Sequence, residues 1–335
     1  MKKFAVIGSG AWGTALAVIL QRNHNEVKLW AREQDVIDDI TNNHENSIFL
    51  PEVKFTDDVF VSSDLAEVIK DVDAVVMVVP AQFVRDICKQ MAPLWRAGLP
   101  LLICSKGIEQ KTGALMSEVV SQELPDAVVA VLSGPTFAGE AAKGLPTSVT
   151  IACTNPDVGR KLVVSFGTKT FRPYYSADVT GSQVGGAVKN VMAIAAGIVE
   201  GKELGDNTRA ALITRGLAEI VRLAKALGGK EETLMGMSGI GDLLLTANSL
   251  QSRNYTVGVE LGKGKKLKEI VAGKRSIAEG VFTSQAVTDL AKKIGIEMPI
   301  CQAMDAILNK DADVDDMINA LLSRPFRDER DPKAL

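Results

Sequence analysis

The 335-residue chain is poor in the residues that build redox, metal and acid–base sites: it has four cysteines and two histidines. Cys88, Cys104, Cys153 and Cys301 are too far apart for a C-x-x-C motif, and three sit in apolar company. They are therefore read as reduced, buried and structural. His24 and His44 both lie in polar segments, and neither is expected to be catalytic. No grouping of His, Cys and carboxylates has metal-ligand spacing, so no metal is expected. Basic charge is not in excess: 38 Lys and Arg against 41 Asp and Glu give a net charge of -3. A polyanion needs a basic field, so no nucleic acid is expected as a partner, although a local phosphate site stays open. Long apolar runs are missing as well. Ala74–Val79 is far too short to span a bilayer, so no membrane insertion is expected. Met1-Lys2-Lys3 leads straight into a strand-like run with no secretory pattern, and the expected location is cytoplasmic.

Short apolar runs are plentiful. Phe4–Ile7, Val27–Trp30, Ala74–Val79, Leu99–Cys104 and Ala127–Leu132 read as strands, separated by helix-length patterns such as Thr14–Arg22 and Gln82–Leu94. Near-continuous apolar strands alternating with helices describe a parallel sheet covered on both faces. Near Thr180 the pattern turns helical and stays so: Arg209–Leu227, Ser284–Ile294 and Pro299–Leu308 all have helical spacing. Gly295 reads as a helix stop, Pro299 as a first helical residue and Gly262–Lys266 as a surface loop. The expected architecture is an α/β domain over 1–180, followed by an all-α C-terminal domain over 181–335.

Strand Phe4–Ile7 runs into Gly8-Ser9-Gly10-Ala11-Trp12-Gly13 and then into a helical pattern. In that context Gly8 permits the tight turn, Gly10 lets the backbone approach a pyrophosphate, and Gly13 lets the helix pack on the strand. The helix N-terminus offers free N–H groups to the phosphates, so the α/β domain over 1–180 is expected to be a Rossmann-type dinucleotide-binding domain. The second strand ends Leu29-Trp30-Ala31-Arg32, with no acid before Arg32. Arginine pairs with a 2′-phosphate, which favours NADP(H), while Glu33 keeps NAD(H) open.

Between Ser182 and Val199 the only charged residue is Lys189. A helix apolar all round is a buried helix, and a lysine within it must find an anion or lose its proton. Gly185 and Gly186, one turn earlier, are expected to leave space for a ligand beside it. Asp242, in Ser238-Gly239-Ile240-Gly241-Asp242, reads either as a helix cap or as the acid that charges and orients Lys189. Ser252, Arg253 and Asn254 group a hydroxyl, a guanidinium and an amide, which suits a phosphate but equally a helix start. Lys106 follows an apolar strand directly, at the carboxyl-end position where open α/β sheets bind ligands.

Together, Gly8–Ala15, Ser105–Gly107, Ser133–Ala138, Gly185–Asn190, Arg209–Gly216, Gly239–Thr246 and Gln251–Asn254 resemble the bacterial-type NAD(P)-dependent glycerol-3-phosphate dehydrogenases. The resemblance implies reversible reduction of dihydroxyacetone phosphate to sn-glycerol 3-phosphate, a phospholipid precursor. It implies that Lys189 is the proton donor and acceptor. Lys106, Gly134, Thr136, Asp242, Ser252, Arg253 and Asn254 would hold substrate. Ala11, Trp12, Arg32, Lys106, Ala138, Arg253, Ile277 and Glu279 would line the cofactor site. Ala11 stands where many members have serine, removing one hydroxyl near the pyrophosphate. A homodimer is left open. The rival readings are a related two-domain hydroxy-acid dehydrogenase and a nicotinamide-sensing binding protein without turnover.

Overall fold

The computed structural model describes residues 1–56, 58–272 and 278–326. Its first half alternates strands and helices: β1 (Lys3–Ile7), α1 (Ala11–Arg22), β2 (Glu26–Trp30), α2 (Gln34–Asn43), β3 (Phe60–Ser62), α3 (Leu65–Ile69), β4 (Ala74–Met77), α4 (Val84–Met91), β5 (Pro100–Ile103), α5 (Met116–Glu123), β6 (Val128–Ser133), α6 (Ala138–Ala142), β7 (Thr147–Cys153), α7 (Pro156–Phe166) and β8 (Phe171–Ser176). The eight strands form one sheet in the order β3-β2-β1-β4-β5-β6-β7-β8. The first six strands of that order are mutually parallel. β7 runs antiparallel to β6 and carries β8 parallel to itself, so the all-parallel expectation fails at this edge. A parallel sheet needs both faces covered, and β4, β5 and β1 from Phe4 onward are buried runs that supply apolar side chains to both. One core lies on each face, one holding Leu16 and Leu20 of α1, the other Ile87 and Met91 of α4.

The second half is helical: α8 (Val179–Gly201), α9 (Gly205–Ala226), α10 (Glu231–Leu234), α11 (Asp242–Thr246), α12 (Arg253–Gly262), α13 (Leu267–Val271), α14 (Glu279–Ile294), α15 (Pro299–Asn309) and α16 (Val314–Leu322), with a π-turn over Met237–Gly241 before α11. Pro299 opens α15 and Gly295 closes α14 in the left-handed region at φ 74°, as their residue types require. All four cysteines are free and buried.

α8 is the axis of this half. It is buried from Gly181 to Val199 and packs against α9, α11, α12, α14 and α15. It is long and apolar enough to cross a membrane, but its apolar stretch is enclosed by protein, as suits a core helix. Where α8 meets α12, the two backbones touch. A Cβ added at Gly197 would stand 2.1 Å from the Tyr255 carbonyl oxygen, and one at Gly258 would stand 2.0 Å from the Ile194 carbonyl oxygen. Gly201 and Gly262, each one turn further on, face Val259 O at 2.2 Å and Ile198 O at 2.6 Å. Only glycine fits such a seam, where an extra methylene in a full core costs about 1–3 kcal/mol.

Candidate active site

β1 ends at Ile7, and the chain turns through Gly8 at φ +116°. A Cβ at Gly13 would lie 1.8 Å from the Gly8 carbonyl oxygen, so α1 starts hard against the turn. At Gly10 a Cβ would meet nothing within 4 Å, which leaves the backbone open to a ligand from outside. The Asn46 amide fixes the loop by donating to Ser9 O (2.7 Å) and Thr14 Oγ1 (2.8 Å). Gly10 caps α1 without a side chain, so the first-turn N–H groups beside Ala11 and Trp12 have no such acceptor. The loop therefore fits a dinucleotide pyrophosphate. β2 lies beside β1, with Gly8 N donating to Trp30 O at 3.2 Å. Arg32 leaves the end of β2 exposed, and its guanidinium holds the Glu33 carboxylate at 2.8 Å.

Lys189 lies on the sheet-facing side of the helical half, and its ammonium donates to Asp242 Oδ1 and to Thr246 Oγ1 (3.0 Å). The Thr246 hydroxyl in turn donates to the Asp242 carbonyl at 2.7 Å, which fixes it as an acceptor for the lysine. Asp242 is fully buried at the start of α11; its side chain caps nothing and binds two lysines. The second is Lys106, beyond β5, whose ammonium donates to Oδ2 at 2.7 Å and to Gly134 O at 3.3 Å. Burial pulls the Lys189 ammonium from the usual lysine range down to about 7; Asp242 opposes the shift and Lys106 adds to it. The sheet and the helical bundle thus meet at one buried carboxylate shared by two cations.

The glycines before Lys189 act differently from the sequence reading. A Cβ at Gly185 would stand 2.1 Å from Ser238 O, and one at Gly186 would stand 2.7 Å from Ser133 Oγ and 3.6 Å from Lys106 Cδ. They admit protein, not ligand: α8 comes close to the π-turn and to the ends of β5 and β6 because they lack side chains.

Ser252, Arg253 and Asn254 open α12. The Ser252 hydroxyl accepts from Tyr255 N at 3.2 Å and caps the helix. Arg253 is exposed, and its charge acts on Glu279. Asn254 is buried and engaged at both ends: Nδ2 donates to Asn190 Oδ1 (3.0 Å), and Oδ1 accepts from Gly280 N (3.0 Å). It ties α12 to α8 and α14, leaving one amide hydrogen for a ligand. Glu279 opens α14 and reaches across to the sheet domain, accepting from Ala81 N at 3.3 Å. Burial pushes its carboxyl up to about 7. Gly134, at φ +147°, and Thr136 follow β6, and Ala138 begins α6. Ile277 falls outside the described residues.

Two polar residues of this cluster have no role in the sequence reading: Thr246 and Asn190. Thr246 sits one helical turn after Asp242, and Asn190 follows Lys189 directly. Those spacings were the available signals.

Family models described as the N-terminus and the C-terminus of NAD-dependent glycerol-3-phosphate dehydrogenase match residues 3–159 and 178–319. The chain belongs to that family. The glycerol-3-phosphate dehydrogenase of Rhodospirillum rubrum, named for NAD(P)+, is 54% identical over 325 residues, covering 97% of this chain and 93% of its own. Its counterpart in Parvibaculum lavamentivorans is 52% identical over 328 residues, covering 98% of each chain. The crystal structure of the Coxiella burnetii glycerol-3-phosphate dehydrogenase superposes with a TM-score of 0.93 at 39% identity, covering 96% of this chain and 99% of that one. A Rossmann-like sheet followed by a helical domain is thus the fold of the family, and its members are nicotinamide-dependent oxidoreductases. No support comes from these relatives for a hydroxy-acid dehydrogenase or a sensor without turnover.

Proposed function

We infer that this glycerol-3-phosphate dehydrogenase family member reversibly reduces dihydroxyacetone phosphate to sn-glycerol 3-phosphate, with NADP(H) preferred over NAD(H). The observation that carries the reading is Lys189: a buried lysine near neutral proton affinity, oriented by Asp242 and Thr246 where the two halves of the chain meet. A general acid works best when its proton affinity is close to the working pH. When bound, the reduced nicotinamide supplies the hydride. The Gly8–Gly13 loop holds the pyrophosphate, flanked by Ala11, Trp12 and Ala138, with Glu279 on the helical side. Lys106, Gly134 and Thr136 take the substrate from the sheet side. Ser252, Arg253 and the free hydrogen of Asn254 take its phosphate, so remote binding energy aligns the carbonyl. Lys189 steadies the growing charge on the carbonyl oxygen and gives it a proton. The direct test follows absorbance of the reduced cofactor at neutral pH with dihydroxyacetone phosphate and, in parallel, with 2-keto acids. Equal or greater rates with keto acids would overturn the substrate assignment.

Two substitutions test the anion contacts. Arg32→Ala should weaken NADPH binding by roughly 1–3 kcal/mol, the value of a charge-assisted hydrogen bond, with NADH little changed. Arg32 must give up part of its hold on Glu33 to meet a 2′-phosphate, which places the effect toward the lower end. Equal weakening of both cofactors in a binding titration would remove Arg32 from the 2′-phosphate. Arg253→Ala should raise KM for dihydroxyacetone phosphate and also lower kcat, because anchoring energy is used at the reacting carbon. Unchanged kinetics would move the anion site elsewhere.

A further inference from the structure

Gly10 leaves the glycine loop open to a ligand, and by the same property it leaves the loop loose. Glycine takes either sign of φ at little cost, so the peptide unit between Ser9 and Gly10 is free to turn over. Its direction matters. In a trans peptide the carbonyl oxygen of one residue and the N–H of the next point in opposite directions. Turned one way, the Ser9–Gly10 unit offers an N–H to a phosphate. Turned the other way, it offers a carbonyl oxygen, which repels one.

The unit is held in one of these directions. Ser9 O points into the protein, where it accepts from Asn46 Nδ2 at 2.7 Å and from Thr14 Oγ1 at 3.2 Å. Asn46 Nδ2 also donates to Thr14 Oγ1 at 2.8 Å, which leaves the hydroxyl its own hydrogen for Ser9 O. Asn46 and Thr14 are both fully buried. The Asn46 amide has one orientation, because its Oδ1 accepts from Phe49 N at 3.2 Å and so Nδ2 is the end that meets Ser9. Asn46 is not part of the glycine loop. It lies 37 positions after Ser9, in the segment that leaves α2 through His44 at φ 52°. That segment is itself tied down: Ser47 donates to Asp39 Oδ2 from N and from Oγ, each at 2.7 Å, and Leu50 N donates to Asn46 O at 2.8 Å. On the other side of the clamped unit, the Gly10 N–H has no acceptor among the described residues.

We propose that Asn46 is a positioning residue for the cofactor: with Thr14 it clamps the Ser9 carbonyl inward and so aims the Gly10 N–H outward at the pyrophosphate, beside the first-turn N–H groups of α1. This rests on the assignment of the Gly8–Gly13 loop to the pyrophosphate made above. The peptide is set in its binding direction when the protein folds, so no affinity is lost in turning it when the ligand arrives. The group it serves is common to both cofactors. Asn46 therefore acts equally on NADH and NADPH, where Arg32 separates them.

The test titrates the whole enzyme with ADP-ribose, which carries the pyrophosphate without the nicotinamide, and with adenosine, which carries no phosphate. Asn46→Leu keeps the branched shape and removes the donors. It should weaken ADP-ribose, NADH and NADPH by one common factor of about 10- to 100-fold, the usual worth of a hydrogen bond to a charged group. Adenosine, measured as a competitor of NADPH, should bind as it does to the wild type. Thr14→Val should give a smaller loss for the same three ligands, and Thr14→Ser, which keeps the hydroxyl, should give none. The two Thr14 variants carry the test alone if Asn46→Leu melts early. Wild-type affinity for ADP-ribose in folded Asn46→Leu, or no difference between Thr14→Val and Thr14→Ser, overturns the proposal. An equal loss for adenosine also overturns it, because Asn46 would then brace the whole pocket and not the phosphate contact. Failure of the cofactor reading looks different: the wild type itself would not bind ADP-ribose.

Discussion

Lys189→Met should yield a folded protein whose turnover of dihydroxyacetone phosphate has fallen by about 10²–10⁴-fold, the usual worth of a general acid. Methionine keeps the reach and apolar fit of the lysine stem inside α8 while deleting the ammonium. Deleting one partner of a buried ion pair is normally costly, but here Asp242 keeps Lys106 at 2.7 Å. Thermal stability near neutral pH should therefore change little. The pH dependence should change. Lys189 has its proton affinity lowered from 10.5 to about 7 in the folded protein. The unfolded chain therefore binds more protons between about pH 7 and pH 10.5, and wild-type stability gains from this residue as pH rises through that window. In Lys189→Met that gain should be missing. Melts at pH 7 and pH 9, a cofactor titration and steady-state turnover check all three points. Near-normal turnover in the folded variant would sink the mechanism; loss of folding would make Lys189 a structural residue.

Asp242→Asn should be the more damaging change to the protein. The carboxylate is fully buried and is the shared anion for Lys106 and Lys189. An amide there keeps the shape but leaves two enclosed ammonium groups without an anion. Breaking a buried pair in this way typically costs about 3–5 kcal/mol, which denaturant titration would read directly. Lys189 should lose its proton at still lower pH, so reduction should be slow at neutral pH and recover partly as pH is lowered. A variant as stable as wild type, with an unmoved pH profile, would show that Asp242 does not govern the lysine.

The parts of this arrangement visible in sequence are those where one residue stands out against its surroundings. Lys189 is a lone charge in a run of apolar and small residues, and burial makes such a charge informative. The Gly8–Gly13 loop stands between a buried strand and a helix, each with its own periodicity. β1, β4, β5 and β6 are mostly apolar runs and β2 alternates polar and apolar residues, and all five read as strands. β3 has three residues, β7 opens on Thr147-Ser148, and β8 carries Arg172 and Pro173, so none of them repeats the apolar-run signal. Proline is tolerated in β8 because it is the sheet's edge strand. Lys106 and Asp242 meet across 136 positions, and no spacing rule reaches that far. Gly185 and Gly186 were misread because a sequence shows a missing side chain but not what takes its place. Ser252 is both a helix cap and a candidate phosphate ligand, and Asn254 is committed to its neighbours before any ligand arrives.

The glycine seam between α8 and α12 bears on how this enzyme could be altered. Lys189 lies on α8 and Arg253 opens α12, so the seam sets the separation between the proposed proton donor and the proposed phosphate anchor as a gauge block sets a gap. Its thickness is that of two main chains. Widening a pocket by trimming side chains is the ordinary route to a longer substrate, but Gly197, Gly201, Gly258 and Gly262 offer nothing to trim. Narrowing the gap is equally closed, because carbonyl oxygens already meet the opposing glycines. On the proposed site, a change in substrate length would instead come from the loops that carry Lys106 and Thr136, while the two helices keep their spacing.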